Sequence, residues 1–434
     1  MKSIKYTTID FIKTSKIGKP IYRKFKKYRG NSGIQIEDLQ AINPVAEDGE
    51  EIRYNLILPT LRKTKVFGGI LTTIKILNKM IARTDTKARV IVVLKESYNP
   101  KWTYSIHGFG YNDEKRNQLV FLGDDSTLKV KKNDVFIFTS WRTAYLMMPV
   151  LNWQIANYSL VDRKAVYLIQ DFEPGFFPWS TEFMLAESTY KTNPKNIIAL
   201  YNSKELYEYF LKKEYGFYAQ KYFEPSLNDE LKKKLLNNLA SERKKQILIY
   251  GRPSEYRNAY EIIKGALIIW SKQYPSAGEW EIISLGEDYE DVKLENNVIH
   301  VQGKLSLSGY ADVLLSSYAG ISLMVSPHPS YPPLEMSTFG VKTITNSFEN
   351  KDLTYFNSNI ISIDNCTPNA IAEKLSEICD EYGSGGAVCY TDNDYVNGGQ
   401  FDAVISEIGD AINEMVNKDQ GTYKKDANED ICKA

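Results

Sequence analysis

Short apolar runs recur along the chain, and nearly every one ends in a turn former. In the first half they are Arg53–Leu58 (around YNLIL), Arg89–Leu94, Leu119–Leu122, Val135–Thr139, Ala165–Gln170 and Asn196–Tyr201. In the second half they are Gln246–Tyr250 (QILIY), Glu281–Leu285, Val298–Val301, Gly320–Val325 (GISLMV), Val341–Thr345 and Asn359–Ile363. Runs of this length, apolar throughout, read as strands buried on both faces. Between them the period changes to that of a helix. Ile70, Leu71, Ile74, Leu77 and Met80 follow the pair Gly68-Gly69, and further helices are predicted over Trp141–Ala156, Ser180–Tyr190, Ser203–Lys213, Asn258–Trp270 and Pro368–Tyr382. Phe401–Val416 carries the stripe Val404, Ile405, Ile408, Ile412 and Met415. Alternating strands and helices predict an α/β fold with parallel sheets covered on both faces.

A chain of 434 residues is too long for one core. The highly charged stretch Lys232–Lys245 marks the division. The pattern separates a basic arm and polar linker over 1–51, a first domain over 52–230, a second over 231–395, a helix over 396–418 and a polar tail over 419–434 that reads as disordered.

Several strand ends carry chemistry. Val166–Ile169 runs into Gln170 and Asp171, then the loop Phe172-Glu173-Pro174-Gly175, and ligands of open α/β sheets bind at such carboxyl ends. Asp171 and Glu173 stand among Phe172, Phe176, Phe177 and Trp179. Carboxylates among exposed rings suit a polar, ring-shaped ligand such as a sugar; a turn whose rings fill the core reads equally well. Gly68-Gly69 between strand and helix is the geometry in which backbone N–H groups meet a phosphate, and also an ordinary tight turn. Arg252 follows QILIYG and Lys304 follows Val298–Gly303. Taken as ends of neighbouring strands, the two cations suit a pyrophosphate; taken singly, each is a surface charge or half of a salt bridge. In SPHPSYPPLEMSTFG, Pro332-Pro333 starts a short helix ending at Gly340, which puts Glu335 in its first turn. There it is placed to accept from two ribose hydroxyls, or is simply a favourable acid at a helix start.

The stretch QDFEPGFFPWSTEFMLAESTY, Gln170–Tyr190, resembles the signature of bacterial rhamnosyltransferases of the S-layer-glycan (WsaF) type, and the similarity runs from about Ile52 to near Val416. The resemblance implies a retaining, family 4-like glycosyltransferase of the GT-B fold, with two Rossmann-like domains facing across a cleft. Residues 52–230 would then hold the acceptor, 231–395 the nucleotide-sugar donor, and the helix over 396–418 would cross back to the first domain. It implies transfer of L-rhamnose from dTDP-β-L-rhamnose to a growing cell-surface glycan, with no metal or cofactor. Asp171 and Glu335 become catalytic candidates. Gly68, Gly69, Arg252, Lys304, Tyr331, Leu334 and Glu335 become donor-binding candidates, and Gln170, Phe172 and Glu173 acceptor-binding ones. Asp171 fits either a base or a positioning group. Glu335 matches the second glutamate of the E-x7-E pattern of the class, but Pro327 stands where the first belongs, and Tyr331 is a substitute for part of its role.

Composition removes other classes. The 54 basic and 54 acidic side chains cancel, which argues against a general nucleic-acid binder. Cys366, Cys379, Cys389 and Cys432 form no C-x-x-C pair, and no leader is apparent, so a reduced cytoplasmic setting is expected. His107, His300 and His328 lack the spacing of a zinc site. Asp124-Asp125 and Asp392-Asn393-Asp394 read as turn formers rather than metal ligands. Residues 1–30 carry ten basic side chains and one acid, with Ile17, Ile21, Phe25 and Tyr28 between them. Such a segment suits the surface of an anionic membrane, and equally a solvated arm or a helix packed on the body. Two rivals remain: a sugar-nucleotide enzyme such as an epimerase, and a glycan-binding protein that kept the fold.

Overall fold

Residues 39, 41–61, 68–82, 86–93, 110–111, 117–122, 127–239, 242–384 and 387–431 are described by the structure, a computed structural model. The basic arm and the Asp124-Asp125 turn lie outside the described residues.

The strands of the first half are β1 (Asn43–Ala46), β2 (Arg53–Leu58), β3 (Lys87–Val92), β4 (Gly110–Tyr111), β5 (Asn117–Phe121), β6 (Thr127–Val130), β7 (Asp134–Phe138), β8 (Ala165–Ile169), β9 (Ile197–Tyr201) and β10 (Ala219–Tyr222). Its helices are α1 (Gly68–Ala82), α2 (Trp141–Asn157), α3 (Thr181–Lys191) and α4 (Lys204–Lys213). The main sheet runs β10-β9-β8-β7-β2-β3-β5-β4. β2 pairs in parallel with β3 on one side and β7 on the other, so that Leu56 stands between Val90 and Ile137. Every side chain of β2, β7 and β8 is buried, and the polar ones among them, Arg53, Asn55 and Asp134, are hydrogen-bonded to one another or to the backbone. Serines start the helices as capping chemistry predicts: Ser140, Ser180 and Ser203 each accept from the backbone N–H three residues on.

The second half continues with α5 (Asp229–Leu236), β11 (Lys244–Gly251), α6 (Tyr260–Gln273), β12 (Glu281–Gly286), β13 (Val292–Lys293), β14 (Val298–Gly303), α7 (Leu307–Ser316), β15 (Ser317–Ile321), α8 (Tyr331–Thr338), β16 (Lys342–Asn346), β17 (Ile360–Ile363), α9 (Pro368–Asp380), α10 (Asp394–Asn397) and α11 (Phe401–Ile431). Its sheet runs β13-β14-β12-β11-β15-β16-β17, parallel except for the β13–β14 pair. Ile247 and Ile249 pack with Trp270 of α6 and Leu375 of α9 in one core cluster. Leu248 packs with Leu231 of α5, Leu314 of α7 and Met336 of α8 in another. Alternate residues of one strand thus feed two layers, which is what makes the sheet doubly covered.

In both sheets the chain starts in the middle, winds to one side, and returns to wind to the other. The reversal falls between β2 and β7 in the first sheet and between β11 and β15 in the second, the arrangement of two Rossmann-like domains. By packing, the described residues up to Leu200, Tyr215–Gln220 and the chain from Ile405 form one unit, and Tyr201–Glu214 with Lys221–Val404 form the other. The expected return of the last helix is therefore present: Met415 of α11 takes a contact from the Lys164 N–H at 3.0 Å inside the first unit.

Four expectations change. The supposed linker before Glu51 contains β1, which pairs in parallel with β6 as a separate small sheet; Asn43 and Ala46 are exposed, Pro44 and Val45 only half-buried, and Pro44 hides the pattern. Helix α4, which the pattern placed with the first domain, packs with the second unit, where Glu205 accepts from the Tyr355 hydroxyl and its carbonyl from Asn350. The strand expected over Gly320–Val325 occupies Ser317–Ile321. The Ser322 N–H still donates to Ile344 O of β16, and beyond it the backbone leaves the ladder, because the Met324 N–H turns to the Asn346 side chain and the Val325 N–H to the Arg257 carbonyl. The polar tail is helical as far as Ile431; polarity argues against burial, not against a helix in a stretch without proline. No helix among the described residues is long and apolar enough to cross a membrane.

Candidate functional site

In the second unit the carboxyl ends of β11, β12, β14 and β15 gather on one edge. Arg252 leaves β11, and its Nη2 lies 3.2 Å from Glu255 Oε1 with the side chain 26% exposed. The guanidinium also faces the Tyr250 phenol. A Cβ built on Gly286, which ends β12 at φ +114°, would stand 3.0 Å from Arg252 Cγ, so only glycine lets the arginine pass over that strand end. Lys304 is exposed at the end of β14. β12 lies between β11 and β14, so the two cations are not on neighbouring strands as expected but about 10 Å apart in strand spacing. Order along the chain is not order across a doubly wound sheet.

The loop from Ser322 to Ser330 is held from below. Asn346 Oδ1 accepts from Met324 N at 2.7 Å, and the buried Lys351 ammonium donates to Met324 O at 2.6 Å. The His328 N–H donates to Ser326 Oγ, and His328 Nδ1 accepts from the Ser330 N–H at 2.9 Å. Ser330 sits at φ +69°, a left-handed conformation costly for a residue with a Cβ. α8 then begins at Tyr331, since the prolines at 332 and 333 occupy positions whose N–H groups have no helical partner anyway. Glu335 consequently lies in the second turn, not the first.

Glu335 is half-buried, and its Oε2 accepts from the Tyr310 hydroxyl of α7 at 2.9 Å. Burial pushes its carboxyl up to about 7, with the Tyr310 bond pulling the other way. Burial also holds the phenols of Tyr250, Tyr310, Tyr331 and Tyr395 above their ordinary value, and the charge of Glu335 adds to it in each. The acid thus stands in a ring of tyrosines at the strand ends. Tyr331 accepts from Asn202 Nδ2 at 3.3 Å and meets His328 edge to face at 5.6 Å. Leu334 is 3% exposed and packs in the core, so its side chain serves the fold rather than a ligand. Tyr250, Tyr310, Tyr395 and His328 were not anticipated. Local sequence gives them no mark, because the tyrosines are distinguished by their nearness to Glu335 and His328 by its bonds within the loop. Asp392-Asn393-Asp394 has the turn role expected of it, with Asn393 capping α10.

In the first unit the corresponding edge holds Gly69, Gln170 and Asp171. A Cβ on Gly69 would stand 2.9 Å from Gln170 Oε1; the glycine lets the start of α1 approach the end of β8. Gly68 is the first residue of that helix. Asp171 is buried, and its Oδ1 accepts from the Phe172 N–H at 2.8 Å. Glu173 behaves differently from the expectation. Its Oε2 accepts from the Trp141 N–H, the first amide of α2, and so complements that helix terminus. The rings also divide. Phe172 packs near Tyr190, and Phe177 meets Trp141 edge to face at 6.0 Å. Phe176 is half-buried, and Trp179 alone of the four is fully in solvent, at 95% exposure.

Comparison with known proteins agrees with this architecture. Residues 53–204 match the WsaF N-terminal domain and residues 245–376 the WsaF C-terminal domain. An O-antigen biosynthesis protein, RfbC of Myxococcus xanthus, is 25% identical over 216 residues, which cover 49% of this chain; the chain spans 15% of that relative's length. Among solved structures, Anabaena Alr3699/HepE in complex with UDP is 12% identical over 85% of this chain and 100% of its own, with a TM-score of 0.51. WaaG, a glycosyltransferase involved in lipopolysaccharide biosynthesis, is 11% identical over 83% and 99%, with a TM-score of 0.50. The fold is that of the GT-B glycosyltransferases.

Proposed function

The chain belongs to the WsaF family and is a glycosyltransferase, and we propose that it moves L-rhamnose with retention from dTDP-β-L-rhamnose to a growing cell-surface glycan. The observation that carries this reading is Glu335 beneath the strand ends that bear Arg252, with Tyr310 donating to one carboxylate oxygen and the other left for a ligand. A ribose presents two adjacent hydroxyls, and a carboxylate is the group that accepts from both. Arg252 and Lys304 neutralise the leaving diphosphate as fixed cations aimed at developing charge, without a metal ion. Tyr331 stands for the absent first glutamate of the E-x7-E pattern. Gln170 and Asp171 serve the acceptor hydroxyl, at the end of β8 that the start of α1 approaches at Gly69. The relative named for O-antigen biosynthesis supports a polysaccharide as the product. The basic composition of residues 1–30 supports an association with the inner face of the cell membrane.

The test is thermal. A ligand that binds only the folded state stabilises it by ~2.7 kcal/mol at a hundredfold excess over its dissociation constant. dTDP or dTDP-rhamnose raises the melting temperature, UDP and GDP raise it less, and EDTA leaves the shift intact. A shift that disappears with EDTA overturns the metal-free donor site. No shift with any nucleotide, but one with a rhamnose oligosaccharide, makes the chain a glycan-binding protein.

A further inference from the structure

We propose that the basic N-terminal arm docks on the first unit as a helix over residues 20–28, its apolar stripe filling a groove between α2 and α3. The inference does not depend on the donor or acceptor readings. A cavity of about 330 Å³ opens there, with Leu39, Ile42, Tyr145, Pro149, Asn152 and Thr192 in its wall. Tyr145, Pro149 and Asn152 are exposed at i, i+4 and i+7 of α2, so they share one face of that helix. The polar groups of the wall are engaged within the wall itself. The Ser188, Thr189 and Thr192 hydroxyls donate to the carbonyls of Leu185, Ala186 and Ser188, and Asn152 Oδ1 accepts from Asn193 Nδ2 at 2.6 Å. The rest of the lining is apolar or aromatic. A sugar or nucleotide would leave hydroxyls unpaired in such a place, so the groove suits an apolar occupant.

Three observations select the arm. The described chain begins at Leu39, in the wall of the groove, so the residues before it set out from its lip. Residues 29–38 span up to about 33 Å when extended. That is ample to turn the preceding segment back along Tyr145–Asn152, about 10 Å of helix. The arm also carries the matching pattern. Ile21, Phe25 and Tyr28 stand at i, i+4 and i+7, the same spacing as Tyr145, Pro149 and Asn152, and Pro20 suits the first position of a helix. Arg23, Lys24, Lys26, Lys27 and Arg29 fall on the other side of such a helix. Docked this way the arm turns its cations outward, and its hold on an anionic membrane is electrostatic, without insertion of the stripe.

The experiment is hydrogen exchange on the full chain, read by mass spectrometry. The amides of residues 21–28 should exchange at least about tenfold more slowly in the wild type than in Tyr145→Asp, which puts a charge on the rim of the groove at a side chain 36% exposed. Phe25→Asp should release the same amides, and the double variant should add nothing to either single one. Exchange over β8 should be alike in all four proteins, which reports an intact first unit. Should Tyr145→Asp disturb β8, the wild type and Phe25→Asp decide. Arm amides that exchange at the unprotected rate in the wild type overturn the proposal, and so does protection that persists in both single variants. Vesicles of equal phosphatidylglycerol and phosphatidylcholine test a lipid as the partner of the stripe. Binding to them should be lost at high salt and survive Phe25→Asp. Protection that appears only with vesicles, with binding lost in Phe25→Asp, puts the stripe in the bilayer and overturns docking. A concentration-dependent dimer that Phe25→Asp dissolves seats the arm on a second copy and overturns docking within one chain.

Discussion

Asp134 and Glu335 are both carboxyl groups withdrawn from water, and the protein treats them in opposite ways. Asp134, 0% exposed at the amino end of β7, is saturated. Arg53 gives it Nε at 2.7 Å and Nη2 at 2.8 Å, the Lys131 N–H donates at 2.8 Å, and Arg89 approaches at 3.4 Å. Burial by itself lowers the Arg53 guanidinium, but the bonds from Asp134 and Glu47 outweigh it and leave it raised; burial brings Arg89 down to about 10 against the opposing charge of Asp134. Glu335, at the other kind of edge, has one hydroxyl donor among tyrosines. A parallel sheet sends all its amino ends one way and all its carboxyl ends the other. A fully paired acid at the amino end can only hold strands together. A barely paired acid at the carboxyl end is where the fold leaves room for a ligand.

The largest effect should follow from breaking the saturated acid. Asp134→Ala strands Arg89 without its counter-charge and leaves Arg53 only Glu47, and a broken buried pair costs about 3–5 kcal/mol. Denaturant unfolding should show a loss of that size in the first unit, with nucleotide affinity unchanged in the protein that remains folded. A loss below about 1 kcal/mol would mean that the network is dispensable and that the contrast with Glu335 is not one of structure against chemistry.

Next comes Asp171→Asn. The amide oxygen can still accept from the Phe172 N–H, so the fold and the dTDP shift should persist while transfer falls roughly a hundredfold, the lower range for a lost general base. Transfer at the wild-type rate would remove Asp171 from the reaction. Arg252→Ala should weaken dTDP binding at least tenfold, the loss of a charge-assisted contact of roughly 1.5–3 kcal/mol. Lys304→Ala should weaken it less, since that ammonium is exposed and β12 separates it from Arg252. Equal affinity in both variants, by calorimetry, would move the diphosphate elsewhere.

What the sequence made legible follows from the same physics. Strands such as YNLIL and QILIY announce themselves because parallel strands buried on both faces are largely apolar, and their one polar residue each, Asn55 and Gln246, is hydrogen-bonded. Helix starts at Ser140, Ser180 and Ser203 announce themselves because a cap is local chemistry. The strand-end positions of Arg252 and Asp171 were legible because a strand end is a position along the chain. The partners were not. Tyr310 reaches Glu335 across 25 residues, and β12 separates Arg252 from Lys304, through pairings that no local pattern encodes. Glu173 misled for a related reason: an acid in an aromatic loop looks like a ligand group, but the first amide of α2 lies within its reach.

The finest test of the comparison is the proton on Glu335. Burial raises its carboxyl from an ordinary 4.5 to about 7 in the free protein. The folded state therefore binds this proton more tightly than the unfolded chain. The associated stability is full below the ordinary value and is lost as pH rises through about 7. The melting temperature of the free wild type should fall over that window, and Glu335→Gln, which does not titrate, should lack this part of the fall. Glu224, also raised to about 7 by burial and then by Glu205, moves the same way in both proteins, so the difference between them isolates Glu335. Ribose hydroxyls donating to the carboxylate favour its charged form, so donor binding should expel the proton. Calorimetry of dTDP in two buffers of different ionisation enthalpy should find close to one proton released per ligand at about pH 6 and almost none by about pH 8.5, with affinity rising between them. Glu335→Gln should bind more weakly at pH 8 and release about one proton fewer than the wild type at about pH 6, the proton of the ligand's own phosphate being common to both. Equal proton release by the wild type and Glu335→Gln would show that Glu335 is an acid of the fold like Asp134 and that the ribose is held by another group.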